Sequence, residues 1–206
     1  MQLVRGLQNL QPQHRGCVAT IGNFDGVHRG HQAILARLCE RARELGVPSC
    51  VVIFEPQPRE FFGPDTAPPR LMRLRDKLAL FAAAGVDRVL CLSFNRRLRE
   101  LSAAEFVQTV LLQGLGVQHL EVGDDFRFGC DRAGDFAFLQ TAAEVEGFTL
   151  EAASTVEIDG LIAVEETLIE VQLVDQTGAS AGLNGDAQAQ VVAVLLVQQT
   201  LHLVGG

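Results

Sequence analysis

The sequence predicts an α/β fold, an open parallel sheet with helices on both faces, and three observations support this prediction. Short apolar runs alternate with amphipathic segments along the first 160 residues. Strands that alternate with helices pair in parallel, because each helix carries the chain back to the starting edge of the sheet. Hydrophobic residues make up 48% of the 206 residues, which is enough to bury a complete core.

Five strands and four helices are expected in alternating order. The strands are predicted at residues 17–22, 50–56, 86–94, 117–123 and 148–154, and the helices at 30–45, 73–84, from 102 onward and at 134–146. The first helix has one apolar face, formed by Ile34, Leu35, Leu38 and Ala42. The second closes at Gly85, a favourable C-terminal residue, and the third begins with a Ser102–Glu105 capping box.

The loops after residues 22, 54 and 121 are expected at one edge of the sheet, because the carboxyl ends of parallel strands meet there. Open sheets of this kind bind ligands at that edge. These three loops also have the most unusual chemistry in the chain, so they are the candidates for a functional site.

Charge and composition exclude several classes of protein. A net charge of −8 argues against a surface that coats nucleic acid or binds an anionic membrane, since both need a basic face. The longest apolar run, residues 191–197, is far below the ~18 residues of a membrane span, and the N-terminus has no secretory apolar region. Five cysteines without a CxxC pair indicate reduced thiols. The sequence has no cluster of cysteine and histidine ligands that would indicate a zinc site.

Residues 161–206 differ sharply from the rest of the chain. They contain no lysine, arginine or aromatic residue of the Phe, Tyr or Trp type, and they carry five acidic residues. Two segments of one protein rarely differ so much unless they belong to different structural units. We therefore predict one domain over residues 1–160 and a divergent tail over residues 161–206.

The segment from Thr20 to Gln32, TIGNFDGVHRGHQ, follows a predicted strand and opens a predicted helix. Its glycines permit tight turns and a close approach of the backbone to a ligand. The first turn of a helix presents free N–H groups and the positive end of the helix dipole, which together bind phosphate. His28 and His31 are three residues apart, so both imidazoles are expected on the same side of that turn.

This arrangement suits the transfer of a nucleotidyl group between phosphates. Two imidazoles can donate hydrogen bonds to a phosphate whose charge grows in the transition state. Positioning and charge neutralisation supply most of the catalysis in such transfers, so no nucleophilic residue is needed. Two alternatives are an ordinary glycine turn with surface histidines and a zinc site, for which no third ligand lies nearby in the sequence.

The same segment resembles the nucleotide-binding signature of bacterial FAD synthetases, the FMN adenylyltransferase domain of bifunctional riboflavin kinase/FAD synthetases. His28-Arg-Gly-His31 is the HxGH motif of the wider Rossmann-like nucleotidyltransferase superfamily, and GNFDGVHRGHQ is more specific to the flavin branch. The resemblance covers roughly residues 5–160. It implies that His28 and His31 are catalytic. It also implies an ATP site formed by Gly22, Asn23, Phe24, Asp25, Gly26, Gly30, Asp124 and Arg127.

A second segment, Phe54 to Phe62 (FEPQPREFF), resembles the part of the family that builds the flavin side of the site. Its prolines and aromatic rings would form a rigid apolar wall for a flat ring. A loop that merely plugs the core is the alternative, and Gln57 stands where many family members have His. Flavin contacts are expected from Phe54, Pro56, Pro58, Phe62 and, further along the chain, Phe128.

A third segment, Val122 to Gly129 (VGDDFRFG), resembles the GxDFxFG segment of the family. Asp124 and Asp125 end a predicted strand, where carboxylates could hold the water molecules of Mg²⁺ or nucleotide hydroxyls, and Asp125 is the expected metal ligand. Capping of a turn is the alternative for both aspartates. Phe126 and Phe128 alternate, so one is expected to face the flavin and the other the core.

The resemblance implies a cytoplasmic enzyme that transfers AMP from ATP to FMN with Mg²⁺, giving FAD and pyrophosphate. Its partners are then the small molecules ATP and FMN, and neither nucleic acid nor membrane. The FMN adenylyltransferase domain is assigned to residues 1–160. No riboflavin kinase motif is recognised in the 46 residues after Gly160, so kinase activity is not expected. The oligomeric state is left open.

The family pattern continues after Gly160 into a Ser-Ser-Thr-x-x-Arg motif whose arginine neutralises the ATP phosphates. The corresponding stretch here is Val164 to Val171, VEETLIEV, in which Glu165 and Glu166 replace the serines and Glu170 replaces the arginine. A lost charge-assisted contact costs roughly 1.5–3 kcal/mol, and ~3 kcal/mol slows a reaction about 100-fold. Weak or absent adenylylation is therefore expected unless another cation enters the site.

Two alternatives to an active FMN adenylyltransferase follow from these residues. The first is a nucleotide- or flavin-binding module that has lost turnover, which the glutamates at 165–170 favour. The second is another adenylyl- or cytidylyltransferase with the same HxGH loop, against which the FEPQP and GDDFRFG segments argue. The local basic cluster of Arg96, Arg97 and Arg99 is interpreted as a solvated loop rather than as a source of the missing charge.

Overall fold

The computed structural model describes residues 1–153, 156–158 and 161–163, and a six-stranded parallel sheet runs through its centre. The strands are β1 (Gln2–Arg5), β2 (Cys17–Ile21), β3 (Ser49–Glu55), β4 (Arg88–Ser93), β5 (Val117–Gly123) and β6 (Thr149–Ala153). Their order in the sheet is β1-β4-β3-β2-β5-β6. A separate antiparallel pair is formed by β7 (Val156–Ile158) and β8 (Leu161–Ala163).

Helices connect the parallel strands. They are α1 (Arg29–Leu45), α2 (Pro58–Phe62), α3 (Leu74–Ala83), α4 (Arg96–Arg99), α5 (Ala103–Phe106) and α6 (Phe136–Glu146). A π-helical segment, Val107–Leu115, continues α5. Short 3-10 turns lie at Leu7–Asn9, Pro12–His14, Asp25–Val27 and Cys130–Arg132. The longest helix, α1, ends at Gly46, which adopts the left-handed conformation that glycine tolerates best.

The strand order places helices on both faces of the sheet. From β2 the chain moves outward through β3 to β4, and it then returns to place β5 on the other side of β2. Because parallel crossovers are right-handed, this reversal puts α1 and α3 on one face and α5 and α6 on the other. Leu35 and Phe81 fill the core under the first pair, and Leu111 and Leu139 fill the core under the second.

The predicted fold is confirmed, and so are the predicted strands and helices within residues 1–153. Apart from the short 3-10 turns, four elements within residues 1–153 were missed: the edge strand β1, the short helices α2 and α4, and the π-helical segment. Only Val4 is buried among the four residues of β1, and one buried residue is too little of an alternating pattern to predict a strand. A Cβ at Gly114 would lie 2.9 Å from the carbonyl oxygen of Thr109, so the absent side chain leaves room for the wider π turn.

Two further expectations can be compared with the structure, and a third falls outside the residues that it describes. All five cysteines are free thiols, as expected. Within the described residues, no helix has the length and apolar character that crossing a membrane requires. The stretch from 164 to 206, which holds the substituted motif and most of the predicted tail, lies outside the described residues.

We predict that Gly129→Ala destabilises the fold more than Gly147→Ala. Both glycines have positive φ angles, of 74° and 79°. A Cβ at Gly129 would also lie 2.7 Å from the backbone nitrogen of Ala103, whereas a Cβ at Gly147 meets nothing within 4 Å. Gly147→Ala should therefore lower the free energy of unfolding only by the cost of a left-handed alanine, about 1–2 kcal/mol. Gly129→Ala should lower it by at least ~1 kcal/mol more. Urea denaturation of both variants measures this difference, and equal losses would contradict the close approach.

Candidate active site

The candidate site lies where the strand order reverses, between β2 and β5. The strands β2 and β5 are parallel, but the connections that follow them run to opposite faces of the sheet. The two loops therefore diverge and leave a crevice between them. Residues 22–28, here called the phosphate loop, follow β2, and residues 124–129 follow β5. The segment 56–62 follows the neighbouring strand β3. The expected convergence of three loops at one edge of the sheet is therefore confirmed.

The phosphate loop has an unusual backbone. Phe24 and Val27 have φ angles of 50° and 38°, in a region that non-glycine residues rarely adopt, and Gly26 has a φ of 77°. Such strain persists only where the surroundings enforce it. Here the ring of Phe24 is fully buried, with its centroid 4.9 Å from that of His31 and 5.4 Å from that of Phe81. Packing beneath the loop thus fixes its conformation.

Asp25 holds the outer side of the phosphate loop. Its two carboxylate oxygens accept hydrogen bonds from the backbone N–H groups of Leu71 and Met72, at 3.0 and 3.1 Å. A Cβ at Gly26 would lie 3.1 Å from the Cδ1 atom of Leu71, so this glycine permits the close approach. The loop is therefore anchored to the chain that leads into α3.

These contacts correct two of the expected ATP contacts. The side chain of Phe24 is buried beneath the loop and cannot face a nucleotide, so only its backbone is available to one. The carboxylate of Asp25 binds backbone N–H groups of the same protein, which makes it a structural residue here. Gly22 and Gly30 are buried close to the ends of the loop, and the N–H of Gly22 donates to the carbonyl oxygen of Val52 at 3.1 Å.

The two histidines stand together at the start of α1. His28 is the N-terminal capping residue, and its Nδ1 atom accepts a hydrogen bond from the backbone N–H of His31 at 3.4 Å. Their rings are stacked, with centroids 3.7 Å apart and planes inclined by 25°. The spacing of three residues therefore brings both imidazoles together beside the free N–H groups of the helix, as predicted.

Both imidazoles are held in the neutral state. Burial lowers the pKa of His28. Burial, followed by the proximity of His28 and Lys77, lowers the pKa of His31 to about 3. A neutral imidazole has one N–H donor and one acceptor nitrogen. At neutral pH the pair therefore offers ring N–H groups to a ligand but no positive charge.

A lysine on α3 lies directly behind the phosphate loop. The side chain of Lys77 is buried, and its ammonium donates a hydrogen bond to the carbonyl oxygen of Asn23. The prediction from sequence missed this residue. One signal was present: the chain has 17 lysine and arginine residues, and Lys77 is the only lysine among them.

The segment after β3 presents a cluster of aromatic rings. Phe94, at the end of β4, lies 5.8 Å from Phe54, 5.3 Å from Phe61 and 5.8 Å from Phe62, measured between ring centroids. Phe62 is 62% exposed, and the guanidinium carbon of Arg99 lies 5.6 Å from its centroid. The apolar wall expected at 54–62 is therefore present, and Phe94 extends it.

Ion pairs hold this aromatic segment to the chain that anchors the phosphate loop. Arg70 donates to both carboxylate oxygens of Glu55, at 2.9 and 2.5 Å, and also to Glu60. The guanidinium of Arg70 lowers the pKa of Glu60. Gln57 is the N-terminal capping residue of α2, and its backbone N–H donates a hydrogen bond to the carboxylate of Glu60 at 2.8 Å. Pro56 is exposed and Pro58 is the first residue of α2.

The segment after β5 places its charged residues outward and one of its rings inward. Asp124, Asp125 and Arg127 are exposed. Phe128 is only 6% exposed, because it packs among Phe106, Phe126 and Phe138. The flavin contact expected of Phe128 is therefore corrected: this ring belongs to the core, and Phe126 is the partly exposed member of the pair.

The described residues contain no group of three or more His, Cys, Asp or Glu side chains that could hold a metal ion. A nucleotide-bound Mg²⁺ needs fewer protein ligands, since it keeps several water molecules and binds phosphate oxygens. Asp124 and Asp125 are exposed carboxylates at the end of β5, and they are the hard oxygen donors that Mg²⁺ prefers. The residues present thus fit an ion that arrives with its nucleotide.

Comparisons with known structures support the fold. A macrolide-efflux protein from Streptococcus pneumoniae superimposes with a TM-score of 0.63 and 20% identity, over 76% of this chain and 51% of that one. Pantoate-beta-alanine ligase from Francisella tularensis, in complex with beta-gamma ATP and beta-alanine, superimposes with a TM-score of 0.50 and 14% identity, over 80% of this chain and 71% of that one. At these identities the likeness concerns the fold alone.

Comparisons of sequence identify the family. The FAD synthetase family model matches residues 10–166. The bifunctional riboflavin kinase/FMN adenylyltransferase of Pseudomonas fluorescens is 76% identical over 161 residues, or 78% of this chain and 51% of the relative. The protein of the same name from Escherichia coli K12 is 48% identical over 182 residues, or 88% and 58% of the two. The chain spans about half the length of these relatives, and it belongs to the FAD synthetase family.

Proposed function

We propose that this chain transfers AMP from ATP to FMN and so forms FAD. A phosphate oxygen of FMN attacks the α-phosphorus of ATP, the bond from that phosphorus to the bridging oxygen breaks, and pyrophosphate leaves. The observation that supports this most is the stacked pair of His28 and His31 at the start of α1, beside the crevice of the sheet. The family match covers this whole region.

The phosphate loop and the histidines stabilise the pentacoordinate transition state. Negative charge grows on the oxygens of the α-phosphate and of the leaving pyrophosphate, and the N-terminus of α1 provides a positive dipole end for it. The N–H groups of His28 and His31 donate hydrogen bonds to the same oxygens. This follows the general pattern in which fixed donors stabilise developing charge.

The remaining contacts are assigned by position. The backbone of Gly22, Asn23, Gly26 and Gly30 borders the triphosphate, and Asp124 and Arg127 lie across the crevice from it. Mg²⁺, when bound with ATP, would be held by phosphate oxygens and Asp125, and it would neutralise part of the phosphate charge. All five thiols are free, which supports the cytoplasmic location implied by the resemblance.

The isoalloxazine ring of FMN stacks on the aromatic cluster of Phe54, Phe61, Phe62 and Phe94 in this proposal. Aromatic rings favour offset or edge contacts with a flat heterocycle. Pro56 and Pro58 stiffen the adjoining backbone, and the ion pairs of Arg70 hold that backbone beside the phosphate loop. The phosphate loop, which binds ATP in this proposal, and the aromatic cluster, which binds FMN, are thereby kept at a fixed separation. This lowers the entropy cost of bringing FMN to ATP.

A second candidate function is binding of nucleotide or flavin without turnover. The observation that favours it is the stretch VEETLIEV at residues 164–171, where Glu170 stands in place of the arginine of the family motif. A carboxylate near the triphosphate repels it, whereas an arginine attracts it. ATP affinity and the adenylylation rate would both fall.

We predict that the chain forms FAD when it is incubated with ATP, Mg²⁺ and FMN, as followed by chromatography. An ordinary enzymatic turnover, of roughly 1 s⁻¹ or more, would exclude the binding module. Binding of ATP and FMN in calorimetry without FAD formation would instead support that module. The Glu170→Arg variant should be up to about 100-fold faster than the parent chain if the lost charge limits the rate, and an unchanged rate would show that it does not.

We predict that His28→Asn and His31→Leu each lower the rate of FAD formation by about 100-fold or more, the usual effect of removing one transition-state donor. Asparagine preserves the helix cap at residue 28, and leucine fills much of the buried space at residue 31. Initial rates measure the effect, and thermal unfolding shows whether each variant is folded. Glu40→Ala, at an exposed position on the same helix, should retain the parental rate. Full activity in both histidine variants would show that the phosphate loop and its histidines do not take part in catalysis.

We also predict that His31 makes the fold sensitive to acid. Its pKa is about 3 in the folded protein and 6.5 in the unfolded chain, so between these values only the unfolded chain binds the proton. The contribution of neutral His31 to the free energy of unfolding is then fully present above pH 6.5 and is lost as the pH drops towards 3. The loss is up to about 1.4 kcal/mol per pH unit. Between pH 7.5 and pH 5, the parent should lose roughly 2 kcal/mol more than His31→Leu. Urea denaturation at the two pH values measures this, and equal losses would mean that His31 titrates normally.

A further inference from the structure

Lys77 is the only lysine among the 17 lysine and arginine residues of the chain, and it is buried. It lies on α3, one turn from the helix start, and it is only 5% exposed. A buried ammonium costs folding free energy unless its hydrogen bonds and charge are compensated. A role in packing alone would not require that charge, because a methionine would fill the same space.

The partners of Lys77 lie in the phosphate loop and in the ion pairs beside it. Its ammonium donates a hydrogen bond to the carbonyl oxygen of Asn23. The negative charges of Asp25, Glu55 and Glu60 favour the charged form of Lys77 and raise its pKa. The positive charge of Arg70 has the opposite effect. Burial lowers the pKa of Lys77. A buried cation is thus hydrogen-bonded to the backbone of the phosphate loop, close enough to His31 to lower the pKa of that histidine.

The bond to Asn23 determines how one peptide group of the loop is oriented. In a trans peptide the carbonyl of one residue and the N–H of the next point in opposite directions. The only cis peptide among the described residues is Glu55-Pro56, so the peptide between Asn23 and Phe24 is trans. With its carbonyl oxygen directed at Lys77, this peptide directs the N–H of Phe24 the opposite way. A carbonyl turned towards the crevice would instead repel phosphate.

We propose that Lys77 is a positioning residue for adenylyl transfer, and that its ammonium fixes the Asn23–Phe24 peptide with the carbonyl behind the loop and the N–H towards the nucleotide. This inference rests on the proposed function for its kinetic effect. Lys77 acts on the substrate through the loop. It differs in this from His28 and His31, whose rings are themselves placed at the ligand.

Kinetics of Lys77→Met test the proposal. Methionine keeps the length of the side chain and removes the charge and the donors. We expect kcat to fall at least tenfold while the KM for FMN changes less than twofold, because the aromatic cluster is unaltered. Arg75→Met removes a cation from the same helix at an 88% exposed position, and it should keep the parental kcat. If Lys77→Met retains kcat within twofold of the parent, the proposal is wrong.

A measurement on the unaltered chain covers the case in which Lys77→Met does not fold. Lysine labelled with ¹³C at Cε gives a single side-chain NMR signal, since the chain has one lysine. ATP with Mg²⁺ should shift this signal, and FMN alone should not. A signal that ATP leaves unmoved would overturn the proposal. If the parent chain forms no FAD, the proposed function fails, and this titration still decides whether Lys77 responds to the nucleotide.

Discussion

The packing of Phe24 beneath the phosphate loop is the contact on which the site depends most. A left-handed backbone at phenylalanine is costly, and it persists because the ring is clamped between His31 and Phe81 with no exposed surface. The same packing orients His31 and, through ring stacking, His28. Hydrophobic burial thus supplies the free energy that keeps the strained loop in this conformation.

The topology of the sheet turns this loop into part of a larger site. Because the strand order reverses at β2, the loops after β2 and β5 diverge and leave a crevice between them. The segment after β3 lies beside the phosphate loop, and its aromatic rings contact Phe94, the residue that follows β4. No single segment makes the site. It forms where four strands end together.

Charge is distributed locally in a way that the net charge of −8 conceals. Lys77 and Arg70 lie behind the loops, and Asp25, Glu55 and Glu60 surround them. Hydrogen bonds of these side chains join the segment after β3, the chain at residues 70–72 and the phosphate loop. Burial lowers the pKa of both His28 and His31, so in the proposed mechanism the attraction of phosphate depends on backbone N–H groups, the helix dipole and the cations beside the loop.

The sequence by itself determined the order of strands and helices, the HxGH loop and the family. These depend on local periodicity and on motifs that are contiguous along the chain, and both can be read without coordinates. Only the tertiary structure decided that Phe24 and Phe128 are core residues and that Asp25 binds backbone N–H groups. It alone also showed that Lys77 contacts the phosphate loop and that Phe94 packs against the aromatic rings after β3. Asp25 and Lys77 make their contacts across 46 and 54 residues of sequence. Burial and partners at such separations are set by how helices pack on the sheet, which no local pattern encodes.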